Sequence, residues 1–564
     1  MAGGLMQLAA TGQQSIILTG NPTKTFWKST YAKYTNFGKQ NFRLDYEGSP
    51  TLRLNEESTF VFKIKRHADL LMDCYASVTL PNIWSPIVPP SADTSYNWSP
   101  YEFKWIENLG AQMISQITIT CGNQTIQQYS GQYLLSLVNR DFTQEKKDLF
   151  NRMTGNIPEL NNPSQTLLTH KNIIEYVDRY PNAYYTSELG GAQPSIDGRI
   201  LYIPILSWFS LKSQMAFPLI AMQYNELNIN ITFRPIREMF IIRDVYNHKE
   251  GFPFIAPNFN QAQMQMYNFL QTPPDVSLNN YQDKRCVWSA DINLNCTYCF
   301  LSDEEAKIFA SKEHKYIFKQ VQETKYYNVT GQSRINIDSF GSVANWMFYL
   351  QRSDIGVRNE WSNYTNFPYK YKPSDIMLVG GQYQYDSTNN KILIGTNLNI
   401  DPFGSEVQDK FPYGSYITGT YKPENIKDIL VNIGILVDGE YRENTMNAGI
   451  LNYVEKFART NGGAPDGVFC YNFCLNTSPY DLQPSGAMDM SKYGIIQFEV
   501  QTIAPPLDAN AQTMTICDPD TGEIIGINKP TWRIYKYNYD MTLFEERINI
   551  LSFMGGNAAL MYAT

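Results

Sequence analysis

Two pairs of cysteines have the spacing that chemistry would need. Cys296-Thr297-Tyr298-Cys299 is a C-x-x-C, and Cys470 and Cys474 form a second, wider pair. Four thiolates can hold zinc in a tetrahedron. In a strand, however, residues three apart point to opposite faces, and a buried cysteine is also a good small hydrophobe. The eight cysteines are therefore expected to be buried packing groups, with no metal and no cofactor. The four histidines, His67, His170, His248 and His314, have no serine or cysteine beside them in a nucleophile motif. His67, next to Arg66 at a strand end, reads as a surface residue. No glycine-rich phosphate loop of the form G-x-x-x-x-G-K-S/T occurs. Asp303 and Glu304 fall in the first turn of a predicted helix, where acids favour the dipole in any case. Asp338 and Asp354 would suit a calcium- or sugar-binding loop, but the dense acidic spacing of an EF-hand is missing. No residue is assigned a catalytic role.

The elements carrying these residues read as strands. Aromatics make up 14% of the 564 residues, mostly 39 Tyr and 30 Phe, and charged residues only 18%. Such a mix fits pleated, half-buried surfaces. A low charge fraction also suits a surface largely covered by partners. Phe60, Phe62 and Ile64 alternate with polar neighbours, as do Met72 to Leu80 and Leu227 to Phe233. Period two over these lengths predicts half-buried strands. Gly122-Asn123, between two alternating runs, predicts a hairpin. Further strands are expected at 285–294, 333–337, 345–350 and 496–500. Helices are expected only as insertions: 145–153, 303–312 behind a capping box at Ser302 and Glu305, and 447–460 with Ile450, Leu451, Val454 and Phe457 on one buried face. Residues 353–420 read as loop. The pattern predicts an all-β chain of two sandwiches or barrels.

Residues 1–38 look like an arm that gains order only by lying against something else. A short apolar run, Ile16 to Leu18, leads into the turn Thr19-Gly20-Asn21-Pro22. An aromatic and basic segment follows, with Phe26, Trp27, Tyr34 and Phe37 as candidate anchors. Residues 1–44 hold five basic groups and no acid, although the whole chain carries −8. No basic tail suits nucleic acid, so no direct contact with the genome is expected. Met1-Ala2-Gly3-Gly4 lacks the charged and apolar regions of a signal peptide, which places synthesis in the cytosol. The most apolar region, 200–222, is interrupted by Pro204, Lys212 and Pro218 and is too short to span a bilayer.

The words MAGGL, LTGNPT, TFWK and YTNF, in that order, resemble the start of the major capsid proteins of the nucleocytoplasmic large DNA viruses. Six further segments resemble the same family. They begin at Arg199 (RILYIPILSWFS), Phe217 (FPLIAMQYNELNINITFRPI), Arg358 (RNEWSNYTNFPY), Leu436 (LVDGEYREN), Tyr471 (YNFCLNTSPYDLQPSGAMDMSKY) and Tyr537 (YNYDMTLFEERINILSFMGG). The resemblance implies two tandem eight-stranded antiparallel jelly rolls, a double jelly roll, with short helical and long loop insertions. The expected layout is an arm at 1–39, a first roll at 40–237, an interdomain connection at 238–281, a second roll at 282–545 and a tail at 546–564.

It further implies a homotrimer forming a pseudo-hexagonal capsomer that tiles an icosahedral shell in the virion, made in the host cytoplasm. Expected partners are the chain itself, neighbouring capsomers, minor capsid or cement proteins and an inner viral membrane, with host receptors or glycans at the outer loops. Gln483-Pro484-Ser485-Gly486 matches a family motif and is expected to shape a loop. Three rivals remain at this point. A poxvirus-type double jelly-roll scaffold would leave the mature particle. A glycan- or receptor-binding surface module would need an export signal. A cupin-type enzyme would need the clustered histidines that this chain does not have.

Overall fold

The computed structural model describes residues 3–91, 98–170, 173–178, 180–184, 192–246, 252–275, 280–371, 376–378, 384–386, 391–394, 398–400, 416–418, 423–508, 514–517, 521, 523–528 and 534–562. Much of the expected loop at 353–420, including 401–415, lies outside the described residues.

Eight strands build the first roll: β1 (Phe37–Leu44), β2 (Ser58–Ile64), β3 (Leu70–Thr79), β4 (Ile114–Cys121), β5 (Gln124–Tyr129), β6 (Ile200–Pro204), β7 (Leu227–Phe233) and β8 (Asn293–Leu301). One sheet runs β1-β8-β3-β6 and the other β2-β7-β4-β5, all antiparallel. The period-two strands behave as expected: Phe60, Phe62 and Ile64 are buried, and so are Leu227, Ile229, Ile231 and Phe233. Cys121 pairs with Gln124, so Gly122 and Asn123 form the predicted two-residue turn, with Gly122 at φ +58°.

Eight more strands follow: β9 (His314–Tyr326), β10 (Gln332–Asn336), β11 (Ser342–Arg352), β12 (Leu430–Val437), β13 (Glu440–Asn447), β14 (Val468–Asn472), β15 (Ile496–Thr502) and β16 (Tyr539–Met554). Their sheets run β9-β16-β11-β14 and β10-β15-β12-β13. This is the order of the first roll with every number raised by eight. Tyr34-Thr35-Asn36-Phe37 and Tyr364-Thr365-Asn366-Phe367 are not equivalent in it. The first word runs exposed into the start of β1 at Phe37; in the second, Tyr364, Thr365 and Asn366 are buried after β11.

Strand pairing corrects the expected boundaries. Residues 293–301 pair with β1 and β3, so the first roll does not end at 237 and the second does not begin at 282. The turn-rich stretch 238–281 is the β7–β8 connection inside the first roll. Within it, Phe240–Arg243 pairs with Phe103–Trp105 and Phe254–Ile255, and Met264, Met266 and Phe269 are buried. The join between rolls is residues 302–313. Nor is 546–564 a tail: β16 runs through Met554, and Asn557–Leu560 turns back against it. The final strand of a jelly roll closes on its first and third strands, a long-range pairing that local turn signals do not report.

The main helices are α1 (Gly3–Ala9), α2 (Gln13–Thr19), α3 (Gly131–Asp141), α4 (Gln144–Thr154), α5 (Asp303–Ser311) and α6 (Glu455–Arg459). Helix α4 fits its predicted span, and Gly155 closes it at φ +79°. Ser302 sits at the N-cap of α5, but its side chain makes no cap bond. Helix α6 follows a wide π turn, Ile450–Val454. That extra residue rotates the following face, so Leu451, Asn452 and Lys456 point inward while Phe457 is 93% exposed. Of the four residues expected on a buried face, only Leu451 is inside; Ile450, Val454 and Phe457 are exposed.

Successive strands reverse direction, so every odd-to-even connection leaves the first roll at one end and every even-to-odd connection at the other. The long connections β3–β4, β5–β6 and β7–β8 share the first end. The arm enters β1 at the opposite end, where Phe37 pairs with Leu301 beside the join to the second roll.

Gly462, beyond α6, is pressed onto the end of α3. Its N–H donates to the Arg140 carbonyl at 2.8 Å, and its own carbonyl accepts from Lys147 Nζ at 2.6 Å. A Cβ there would overlap the carbonyl oxygens of Phe142, Arg140 and Asn139, all of them backbone. Gly462→Ala should therefore destabilise the chain by about 1–3 kcal/mol through overpacking, read as a lower denaturant midpoint with an unchanged spectrum of strand content.

Candidate functional site

The arm stands off the body. Helices α1 and α2 bury no residue. Ile16, Ile17 and Leu18, the short apolar run, lie in α2. Thr19 ends that helix with its hydroxyl donating to the Ser15 carbonyl at 2.7 Å, and the Gly20 N–H donates to Ile16 at 2.8 Å. A Cβ at Gly20 would crowd that same carbonyl, and Asn21 takes φ +79°, so the turn residues suit the stop. Pro22 then bars any continuation of the helix. Phe26 is 89% exposed, Trp27 96% and Tyr34 85%. Phe37 is the first residue of β1, so the arm ends before it and not at 39. A second exposed apolar set, Ile450, Tyr453, Val454 and Phe457, lies on the outer face of α6 and its π turn.

The Gln483-Pro484-Ser485-Gly486 loop is tied to the strand end that precedes it. The Ser485 hydroxyl donates to the Asn476 carbonyl at 3.0 Å and accepts from the Asn476 N–H at 3.1 Å. Gly486 sits at φ +136°, a region that favours glycine. All four residues line a cavity of about 80 Å³ at the seam of the two rolls, shared with Trp208, Phe318 and Glu546.

The cysteines do not converge. Cys296 faces Cys74 across β8 and β3, with their sulfurs 3.3 Å apart, while a register shift sends Cys299 to a separate apolar cluster with Leu70 and Ala216. Cys470 lies on β14 of the other roll, and no group of three metal-ligating side chains occurs among the described residues. Cys286 is half-buried, which departs from the expectation that all are buried; the side chain of Cys517 lies outside the described residues. His67 is exposed and stacks on Phe42 at 4.5 Å.

What sequence reading missed is the charge at the seam. Strand β16 is buried on both faces. Tyr539, Met541 and Leu543 enter the second core, while Phe544 joins the first-roll core across the seam. Glu545 and Glu546, adjacent in sequence, therefore point to opposite sides. Glu545 accepts from Trp346 Nε1 at 2.8 Å and pairs with Arg547 inside the second roll. Glu546 accepts from Arg140 Nη2 at 2.6 Å, from Tyr133 OH at 2.9 Å and from Asn345 Nδ2 at 2.7 Å. Arg140 also donates to Asp141 from Nε at 2.9 Å and Nη2 at 2.7 Å, and to Asn345 Oδ1 at 3.0 Å. Asp141 accepts from Thr477 of the second roll. Arg140, Asp141 and Glu546 are all sealed from solvent. Helix α3 thus brings an ion pair from the first roll to an acid on the last strand of the second.

Burial alone would raise the Glu546 carboxyl, but Arg140, Lys319 and the Asn345 amide outweigh it and hold the group down at about 2. Burial dominates at Asp141 and lifts its carboxyl above the ordinary range, against the pull of Arg140 and Thr477. The Glu546 contribution to stability is present above its ordinary value near 4.5 and is lost as pH falls from there through about 2. Such a displacement corresponds to a contribution on the order of 3 kcal/mol. Arg140→Met takes the guanidinium from between two buried carboxylates, leaving Glu546 only the longer ion pair to Lys319 at 3.5 Å, and should cost about 3–5 kcal/mol. Glu546→Gln should flatten the acid limb of the stability curve between pH 4.5 and 2, measured by denaturant unfolding across that range.

Comparisons with known proteins agree with this architecture. The profile of a family described as "Major capsid protein N-terminus" matches residues 25–269. The major capsid protein of Phaeocystis pouchetii virus is 23% identical over 590 residues, covering 99% of either chain. That of Paramecium bursaria Chlorella virus 1 is 24% identical over 567 residues, covering 100% of both. In three dimensions the chain is similar to one in the quasi-atomic PBCV-1 virus capsid, with a TM-score of 0.56 at 17% identity over 96% of this chain and 100% of that one. The fold is the double jelly roll, and over its whole length the chain is similar to major capsid proteins of the nucleocytoplasmic large DNA viruses.

Proposed function

We propose that this chain is a major capsid protein and acts mechanically, not as an enzyme: three copies close into a pseudo-hexagonal capsomer, and capsomers tile the icosahedral shell of a virion assembled in the host cytoplasm. One observation carries the reading. The two rolls share one strand order and are locked at a buried seam, while the arm and the long first-roll loops leave from opposite ends. A unit built this way has an inside and an outside. The arm then docks beneath the lattice, on minor capsid or cement proteins or on an inner membrane, with Thr19 to Pro22 setting its direction and Phe26, Trp27, Tyr34 and Phe37 anchoring it. The long loops face outward, where host receptors or glycans are met. The exposed face of Ile450, Val454 and Phe457 is assigned to a sister chain.

Sedimentation should give roughly three chain masses, with several thousand Å² buried in the trimer; a monomer at micromolar concentration would sink the reading. Phe457→Glu should leave the fold intact but weaken the trimer, because one buried Phe is worth about 1.5–3 kcal/mol per interface. Deleting residues 1–25 should leave trimers with near-native melting and abolish closed shells, checked by melting curves and electron microscopy of particles. A truncated chain that fails to trimerise would place the arm in the core of the trimer instead.

A further inference from the structure

We propose that the arm binds an anionic lipid surface and lies in its headgroup layer; this rests on the reading that the arm docks beneath the shell. The arm has two blocks. Residues 3–18 hold no charge, and α1 and α2 expose Leu5, Met6, Leu8, Ile16, Ile17 and Leu18. After the turn at Gly20 and Asn21, lysines and aromatics interleave. Lys24, Lys28 and Lys33 alternate with Phe26, Trp27, Tyr31 and Tyr34. Lys24 Nζ sits 5.5 Å from the centre of the Phe26 ring.

Each helix has seven residues and is roughly 10 Å long, far short of the hydrocarbon core of about 30 Å. The arm can therefore lie in a membrane interface but not cross it. A tryptophan or tyrosine ring favours headgroup depth, where its apolar body and polar edge are both satisfied. Lysines at the same depth meet lipid phosphates and carboxylates, and their stems cover apolar surface. A groove on a protein partner would suit the apolar block equally well. It would not suit the second block, because lysine is depleted from the buried centre of protein interfaces.

Charge decides between the two. Residues 1–36 carry +3 and the whole chain −8, which leaves −11 on the rest. An anionic leaflet thus attracts the arm and repels the body. The first acid in the sequence, Asp45, comes directly after β1, so the sign changes where the arm joins the roll. The arm becomes a tether that holds the body off the membrane instead of drawing it down.

The test uses purified full-length capsomers and two kinds of vesicle: phosphatidylcholine alone, and phosphatidylcholine mixed with phosphatidylserine. Co-sedimentation should favour the anionic vesicles by roughly tenfold or more at low salt and fall as salt rises. The triple variant K24E, K28E and K33E should lose that preference. Phe26→Ser with Trp27→Ser should weaken binding at every salt concentration. Neither variant alters a buried residue, so melting should not change. Equal binding to both vesicles, or binding to neither, overturns the inference. If capsomers ignore vesicles while the 1–25 deletion still prevents closed shells, the arm docks on protein and only the lipid inference falls. If the truncated chain closes normal shells, the docking reading itself fails.

Discussion

The structure depends on a cluster of charges that neither roll can satisfy alone. Arg140 and Asp141 end a helix of the first roll; Glu546 stands on the last strand of the second. Removed from water, each charge needs partners that are also removed from water. Tyr133, Asn345 and Thr477 supply them from both sides of the seam. A chain whose rolls slipped apart by one residue would leave at least one ion buried and unpaired. The cluster thereby sets the register of the two rolls more sharply than apolar contact would, because apolar contact is tolerant of small shifts.

Around that cluster the seam is aromatic. Trp208 lies 4.7 Å from Phe318, Phe217 5.1 Å from Phe553, and Tyr133 5.4 Å from Phe544, each pair joining the two rolls. The first-roll core runs without interruption through the seam to Met347, Tyr349 and Phe544. Strands β11 and β16 are consequently buried on both faces over most of their length; β11 reads as a nearly continuous apolar run from Val343 to Leu350, whereas β16 carries Glu545, Glu546 and Arg547 into the interior. Two folding units have become one body.

Strands were legible wherever one face met solvent, since alternation is then visible in the sequence, as in β2 and β7. The closing strands were not. β8 lies more than 200 residues from its partner β1, and nothing local announces that pairing. For the same reason the turn-rich 238–281 resembled a linker between domains, although its buried Met266 and Phe269 make it part of the first core. The face of α6 failed for a different reason: a π turn shifts the register, and period 3.6 no longer says which side is inward. The seam charges left a usable trace, an Arg-Asp pair inside the apolar helix LLSLVNRDF and a Glu-Glu-Arg run inside a strand. A charge in such a setting needs a buried partner. The sequence names the need but not the partner, which sits more than 400 residues away.

The order of the strands also explains how the proposed contacts can differ at the two ends of one body. Odd-to-even connections can lengthen without disturbing a single ladder hydrogen bond, and in the first roll three of them have. Even-to-odd connections include the two-residue hairpin at Gly122-Asn123, whose positive φ and close packing against Asn225 leave no room for insertion. One end of the roll is thus free to vary and the other is constrained, and the arm enters at the constrained end. On the proposed reading, a surface that must repeat identically under every copy in a shell belongs where the fold resists change. A surface that meets a changing outside belongs where loops can grow. Both follow from antiparallel pairing and the seam that fixes the two rolls together, before any contact with a partner is made.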